Sequence, residues 1–341
     1  MKKVLTFMFI AILAVNVFAI NVLIVKDGAS DNIMNYYMDG LKKAKLTATV
    51  FDTQIDKKVP KFDYLKDFDV VMWICGDSFK TMSTEEKDEL DLFLNDKSTN
   101  NKRKSLFIEG ERVLSDSAFI DYKFFFKNNF DIEFYKSMSI DKMDIQTIWS
   151  NPITWGMREH FSISSFRNFD VMKLDSFDDQ DALFKLVAPN TNNPNNSNGY
   201  DNNNDQILTI GIAKDMYKKR LALLSFSPEE RDIWEINTSG FKENLIKWLT
   251  DDYKKVLNRL VSSTPSRATS KNGEFESDAI SAVNFIKNAI DHHSYDEFDM
   301  FINMKDKMDM AVYQSIMSEL LQIYKNNKAW QKDPMLINRL K

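Results

Sequence analysis

The sequence is poor in the residues that most often carry chemistry. Its 341 residues include one cysteine, Cys75, so no intrachain disulfide is possible even in an oxidising compartment. The 3 histidines, His160, His292 and His293, do not form an HExxH motif, and no CxxC, Walker or GxGxxG spacing occurs. His292 and His293 adjoin a predicted helix end, where neighbouring side chains face apart and a shared metal is disfavoured. With 9 glycines and 7 prolines the chain is neither collagen-like nor proline-rich. A formal net charge of −5 gives no electrostatic footprint for nucleic acid. No metal and no cofactor is expected.

What the chain does have begins at its start. MKKVLTFMFIAILAVNVFA carries a basic n-region at Lys2 and Lys3, an apolar core, and Val17 and Ala19 at a cleavage position, the pattern of a secretory signal over residues 1–19. No cysteine follows the apolar core, which excludes a lipoprotein anchor. The competing reading is an uncleaved anchor, because the apolar run continues through Ile20 to Val25. Signal cleavage makes the expected location periplasmic or extracellular, with no membrane span left in the mature chain.

The remainder is organised around FDVVMWICGDSFKTMSTEEKDELDLFLND and the following KSLFIEGERV. Val70 to Ile74 is an apolar run of strand length, of the kind buried on both faces in a parallel sheet. Ser83 and Glu86 form a capping box for a helix whose Leu90, Phe93 and Leu94 point inward, while Glu85, Lys87, Asp88, Glu89 and Asp91 remain in water. Ser105 to Ile108 closes a βαβ unit. A second unit precedes it: Asn21 to Val25, a helix carrying Ile33, Tyr36, Tyr37, Leu41 and Ala44, then Thr47 to Phe51. Two units in series predict an α/β protein with a doubly wound, mostly parallel, flavodoxin-like sheet.

Further strands are predicted at Asp131 to Tyr135, Ile207 to Ala213 and Leu221 to Phe226. Val171 to Leu174 and Ala182 to Val187 read as a strand pair turning at Phe177 to Asp179. The aromatics of Ser117 to Phe130 read as core packing. The asparagine-rich segment 190–205 reads as a loop, and its DNNND lacks the glycine and the glutamate of a calcium loop. One long helix is predicted from Ser227, Pro228 and Glu229 onward, with Phe241, Leu245, Trp248, Leu249, Val256 and Leu260 on one side. The expected division is an α/β domain over 20–262, a polar linker over 263–274 and a helical module over 275–341. In that module Ile280, Val283, Phe285, Ile286 and Ile290 form one apolar face. Met304, Met308, Val312, Ile316 and Leu320 form another, suited to an adaptable partner surface.

NVLIVKDG, YLKDFDVVMWICGD with its Ser83-capped helix, and KSLFIEGERV together resemble extracytoplasmic relatives of the class I glutamine amidotransferase-like superfamily. The stretch KKRLALLSFSPEERDIWEINTSGFKENLIKWL looks like the last strand and closing helix of its ThuA-like members. The resemblance spans about Ile20 to Asp251, in patches, and speaks for the fold more than for an activity. It implies that the nucleophile of catalytic members would sit on the turn Glu109 to Arg112, which holds no cysteine, serine or threonine. Cys75 falls one strand earlier, where the family places oxyanion-hole donors, and reads as a small buried apolar residue.

Asp27, Gly76, Asp77, Glu109, Glu111 and Arg112 fall at carboxyl ends of predicted strands, where open α/β sheets bind ligands. Carboxylates there could hold a hard cation or act as general acid and base. Trp73, Trp149 and Trp155 are candidate pocket walls. Two functions follow. The first is a non-catalytic binding or assembly scaffold of the cell envelope, meeting another envelope or secreted protein through its helical tail. The second is a hydrolase or carbohydrate-active enzyme in which Asp77, Glu111 and His160 converge on one pocket.

Overall fold

A computed structural model describes residues 20–76, 82–96, 103–115, 123–140, 143–148, 151–154, 157, 159–163, 167–174, 181–186, 208–216, 219–227, 239–251, 253–262, 272–291, 293 and 295–340. The predicted signal, Asp77, Trp149, Trp155, His292, the calcium-like DNNND, Pro228, Glu229 and the middle of the linker lie outside the described residues.

In chain order the elements are β1 (Val22–Lys26), α1 (Asp31–Lys43), β2 (Ala48–Asp52), α2 (Thr53–Asp56), α3 (Phe62–Leu65), β3 (Val70–Gly76), α4 (Thr84–Leu94) and β4 (Lys104–Gly110). There follow α5 (Lys123–Phe130), β5 (Ile132–Ile140), β6 (Met143–Thr147), β7 (His160–Ile163), β8 (Arg167–Leu174), β9 (Ala182–Leu186), β10 (Leu208–Met216) and β11 (Lys219–Leu224). Helices α6 (Ser239–Thr250), α7 (Tyr253–Ser262), α8 (Asn272–Asp291), α9 (Asp296–Asn303), α10 (Met310–Asn326) and α11 (Pro334–Leu340) complete the described chain.

The first half of the sheet is parallel, in the order β2-β1-β3-β4-β11. That order is the doubly wound, flavodoxin-like one, with β1 at the point where the winding reverses. Every residue of β3 and of β4 is buried, as expected for strands covered on both faces. One face of the sheet packs Ile24, Met72 and Phe107 against Ile33, Tyr37 and Leu41 of α1 and Phe241 and Leu245 of α6. The other packs Val25, Trp73 and Ile108 against Leu90 and Phe93 of α4 and Phe126 of α5. Each aliphatic or phenyl side chain so enclosed contributes about 1.5–3 kcal/mol relative to exposure.

The start of α4 is fixed by its own sequence. Ser83 Oγ accepts from Glu86 N at 3.3 Å, and Glu86 Oε2 accepts from Ser83 N at 2.6 Å. Lys87, expected in water, is instead 3% exposed with its ammonium 5.8 Å from the Phe126 ring centroid. A lysine stem can lie along apolar surface, and α5 covers this one.

The second half of the sheet is antiparallel, continuing β11-β10-β9-β6-β7, with β8 pairing β10 and β5. Strands β8 and β9 were expected to pair with each other. Both pair with β10 instead, β8 at Leu208 and Thr209 and β9 from Thr209 to Ile212, where register shifts divide the two. Thr209 accommodates the fork by donating its hydroxyl to Gly211 O at 2.8 Å.

The single long helix expected after β11 is two, α6 and α7, broken at Asp251. Phe241, Leu245, Trp248 and Leu249 stay with the sheet, whereas Val256, Leu257 and Leu260 join Phe285, Ile286, Phe298, Phe301, Ile316 and Trp330 in a third core. Packing therefore divides the chain one helix before the polar linker. Met308, Val312, Ile316 and Leu320 of the expected partner stripe are turned into that third core, none above 7% exposed.

The third core is tied to the amino-terminal edge of the sheet. The Phe285 ring of α8 has the guanidinium carbons of Arg103 and Arg220 each 4.4 Å from its centroid. Arg220 is 1% exposed, and burial lowers its pKa to about 10. It donates to Asp215 at 3.2 Å, to Asp251 O at 2.7 Å and to Trp248 O. Asp278 of α8 is bridged by Lys247 at 2.8 Å and by Arg259, which also pairs with Asp251.

Candidate functional site

The carboxyl edge of the parallel strands brings Asp27, Cys75, Gly76 and the turn 109–112 near one another, but not as one acidic rim. Asp27 ends β1 and is 1% exposed. Its Oδ1 accepts from Thr53 Oγ1 at 2.7 Å and its Oδ2 from Trp73 Nε1 at 3.2 Å, with Cys75 Sγ at 3.9 Å. One carboxylate thus ties β1, α2 and β3 together, and its hydrogen bonds offset much of the cost of burial. Trp73, expected as a pocket wall, is fully enclosed and serves as that donor. The thiol of Cys75 is buried and faces an acid, whereas a reactive cysteine needs a nearby cation or imidazole.

Glycine is required at the tips of β3 and β4. Gly76 has φ +66°, and a Cβ there would come within 2.6 Å of Ile33 Cδ1 and 3.0 Å of Ala29 Cα. A Cβ on Gly110 would meet Cys75 Cβ at 2.7 Å and Val113 Cγ1 at 2.9 Å. Glu111 N donates to Gly76 O at 3.0 Å, closing the two strand ends on each other. Glu111 is 8% exposed, Glu109 is fully buried and Arg112 is half-buried. Glu109 follows Phe107 by two residues and shares its face of the sheet, the face of Tyr37. Burial, and then Glu109, push the Tyr37 hydroxyl well above its ordinary range. Asp27 lies on the opposite face with Trp73 and Cys75, so the sheet separates the two carboxylates.

The expected convergence of Glu111 with His160 does not occur. His160 opens β7, the far edge of the antiparallel half, five strands beyond β4 and therefore roughly 24 Å away by strand spacing. Its side chain is 60% exposed, and Nε2 lies 3.8 Å from Glu159. Asp77, the third member, lies outside the described residues. Among the described residues no group of three His, Cys, Asp or Glu could hold a metal ion.

A polar cluster that sequence reasoning missed stands beside Arg112. Asp170 of β8 is fully buried and accepts from Leu114 N at 2.9 Å, Ser115 Oγ at 2.9 Å and Ser137 Oγ at 2.6 Å. Burial pushes its carboxyl above the usual carboxylate range, against the pull of these donors and of Arg112. The cluster fastens the segment after β4 to the β5–β8 ribbon. Its only sequence signal is an acid between Phe169 and Val171 in an otherwise apolar run.

No family model matches the chain, and no curated protein matches it. Among solved structures it is similar to a glutamine amidotransferase from Thermotoga maritima, with 12% identity and a TM-score of 0.36 over 76% of this chain and 96% of that one. The strand order itself defines an α/β protein of the doubly wound, flavodoxin-like class with a helical carboxyl-terminal part.

Proposed function

We propose that the protein is a non-catalytic binding or assembly scaffold of the cell envelope. In this reading it is a ThuA-like member of the class I glutamine amidotransferase-like superfamily that lacks the nucleophile. It is exported to the periplasm or beyond by removal of residues 1–19 and meets another envelope or secreted protein through its helical tail. One observation carries the reading. The turn Glu109 to Arg112, where catalytic relatives would set a nucleophile, has no hydroxyl or thiol, and its carboxylates are buried on a strand end that is bonded to Gly76. Met310, Leu321 and Met335, which are 49%, 36% and 50% exposed on the tail, support a partner surface there in place of the buried stripe.

Exported protein should begin near Ile20 on N-terminal sequencing; recovery of intact residues 1–19 in the membrane fraction would favour the anchor. The function is tested by in-cell cross-linking followed by identification of the partner. Met310→Glu with Leu321→Glu should abolish one specific cross-linked envelope protein, whereas Glu111→Gln should leave it unchanged. If Glu111→Gln folds normally yet abolishes a hydrolytic activity of the protein, the alternative holds, a hydrolase or carbohydrate-active enzyme using the acidic edge.

A further inference from the structure

Strand β2 ends the sheet on its parallel side and, among the described residues, pairs with β1 alone. Its hydrogen-bonding phase follows from that neighbour. In a parallel ladder alternate residues of a strand turn N–H and C=O to one side, and the residues between them to the other. Asp27 N donates to Ile74 O of β3 at 2.8 Å, and Lys26 O accepts from Thr53 Oγ1, just past the end of β2, at 3.3 Å. The odd-numbered residues of β1 therefore serve β3 and the even-numbered ones β2. With Leu23 opposite Thr49 and Val25 opposite Phe51, β2 bonds to β1 through Thr49 and Phe51. The peptide groups of Ala48 and Val50 consequently point out of the sheet, where no described residue pairs with them.

Nothing in β2 guards this edge. Natural sheets blunt an open edge with lysine, proline or a bulge, whereas Leu46 to Phe51 reads LTATVF, without charge, proline or glycine, and its register on β1 is unbroken. An uncharged, β-forming stretch of this kind is an aggregation hazard unless a defined partner covers it. The side chains at the edge are apolar: Val50 is 48% exposed, and Ile55, in the helical turn that follows, 78%. That turn gives Thr53 and Gln54, and after it Lys57 and Lys58, to a cleft at the exit of β1, which leaves Ile55 and Asp56 on its other side. Lys45, before β2, and Asp56, after it, are both exposed, and neither has an ion-pair partner among the described residues. The edge is thus neutral along the strand, with a free cation at its entry and a free anion at its exit.

We propose that β2 pairs with β2 of a second copy of this chain, antiparallel about a two-fold axis at Val50, so that two sheets join into one. The axis falls at Val50 because its peptide groups are the central outward pair: the two Val50 residues exchange N–H···O=C bonds, and Ala48 of each copy faces Asp52 of the other. An antiparallel axis sets the entry of one β2 beside the exit of the other. Lys45 of each copy then meets Asp56 and Ile55 of its partner, and the two Val50 side chains cover each other. A second copy supplies this complement from the same residues, neutral where the strands pair and of opposite charge at the two ends. The proposal goes beyond the scaffold reading, since it concerns the α/β domain and needs no partner at the tail.

The test is sedimentation velocity of the whole protein, which should show a dimer that dissociates on dilution. Val50→Lys sets two ammonium groups across the axis and should weaken association on the order of tenfold or more. Val50 is exposed, so the variant should keep its fold by circular dichroism. Lys45→Asp should weaken the dimer less, and Lys45→Asp with Asp56→Lys should restore it. Met310→Glu with Leu321→Glu, on the tail, should leave it unchanged, which separates this interface from the tail surface. Amide exchange followed residue by residue gives the register: the Val50 amide should be protected in the dimer and lose protection on dilution, while those of Thr49 and Phe51 stay protected by β1 throughout. The proposal is overturned if the chain is a monomer at its highest soluble concentration, if the Val50→Lys variant associates as tightly as the parent, or if the Val50 amide exchanges equally fast in dimer and monomer. Protection of that amide only on adding an envelope extract would also overturn it, by giving the edge to a strand of another protein.

Discussion

The buried charges at the two ends of the parallel strands are satisfied by different parts of the chain. At the carboxyl edge the acids are closed in by their own α/β domain: Asp27 by Thr53 and Trp73, Asp170 by Ser115, Ser137 and Leu114. At the amino edge Lys104 is also satisfied locally, donating to Lys66 O and Phe68 O at 2.8 Å each. Arg220 is not. It needs the α6–α7 corner for its hydrogen bonds and Phe285 of α8 for its face. A buried guanidinium is costly unless every donor is placed, so the tail helix is part of how this end of the sheet is solvated. The difference teaches that the helical tail completes the α/β domain at one edge, whereas the acids named at the other find their described partners without it.

The sharpest way to break that asymmetry is Arg220→Ala. It leaves Asp215 half-compensated and opens a void beneath Phe285, and a loss of about 3–5 kcal/mol is expected from removing one member of a buried charged network. The urea midpoint measures it. Phe285→Ala should cost about 3 kcal/mol or somewhat more, by the cavity it leaves and the lost cation–π contacts. In a double-mutant cycle the two changes should couple by about 1 kcal/mol or more, because they share one contact. Strict additivity would mean that the tail and the sheet edge are energetically independent and that the tail is the separable module its polar linker suggests.

Local signals were legible in the sequence, and long-range ones were not. The capping box Ser83–Glu86, the apolar run of β3 and the helical spacing of α1 each lie within a few residues of one another, and each is found where expected. So is the strand order that two βαβ units imply. The break at Asp251 was hidden because Arg259 and Asp278, which fasten α7 to α8, are 19 residues apart with the linker between them. Asp170 finds its serines 33 and 55 residues away. His160 was read as a neighbour of the site because nothing in its surroundings shows that β7 is the outermost strand. The buried Met308 to Leu320 stripe has the same period whether it faces its own core or a partner, so periodicity alone could not choose.

At the carboxyl edge the expected effects are smaller, since no second domain is disturbed. Gly110→Ala places a methyl 2.7 Å from Cys75 Cβ and 2.9 Å from Val113 Cγ1, and overpacking of this kind costs about 1–3 kcal/mol. Its effect should be lessened in a background that shortens Val113 to alanine; an unchanged penalty would point to backbone conformation as the cause. Cys75→Ser should cost about 1 kcal/mol, by exchanging a small apolar thiol for a hydroxyl in a buried strand end. It should leave the cross-linked partner of the protein intact. Loss of that partner in a normally folded variant would assign the thiol a role that its buried place beside Asp27 does not suggest.

The smallest effect expected is a pH slope from Asp170. Its carboxyl is raised in the folded protein chiefly by burial, so between the unfolded and folded values the native chain holds a proton that the unfolded chain has released. Stability from this group is therefore greatest below the unfolded value and is lost as pH rises through the folded one, with a slope of at most about 1.4 kcal/mol per pH unit. Asp170→Asn keeps an oxygen to accept from Ser115 or Ser137 and cannot titrate. Urea midpoints measured upward from about pH 4, near the ordinary aspartate value, should show the parent losing ground to the asparagine variant and then running parallel to it. A difference of opposite sign would mean that the three donors and Arg112 outweigh burial. Asp170 would then be a charged latch on the segment after β4, and the carboxyl edge would depend on an ionised acid as the amino edge depends on Arg220.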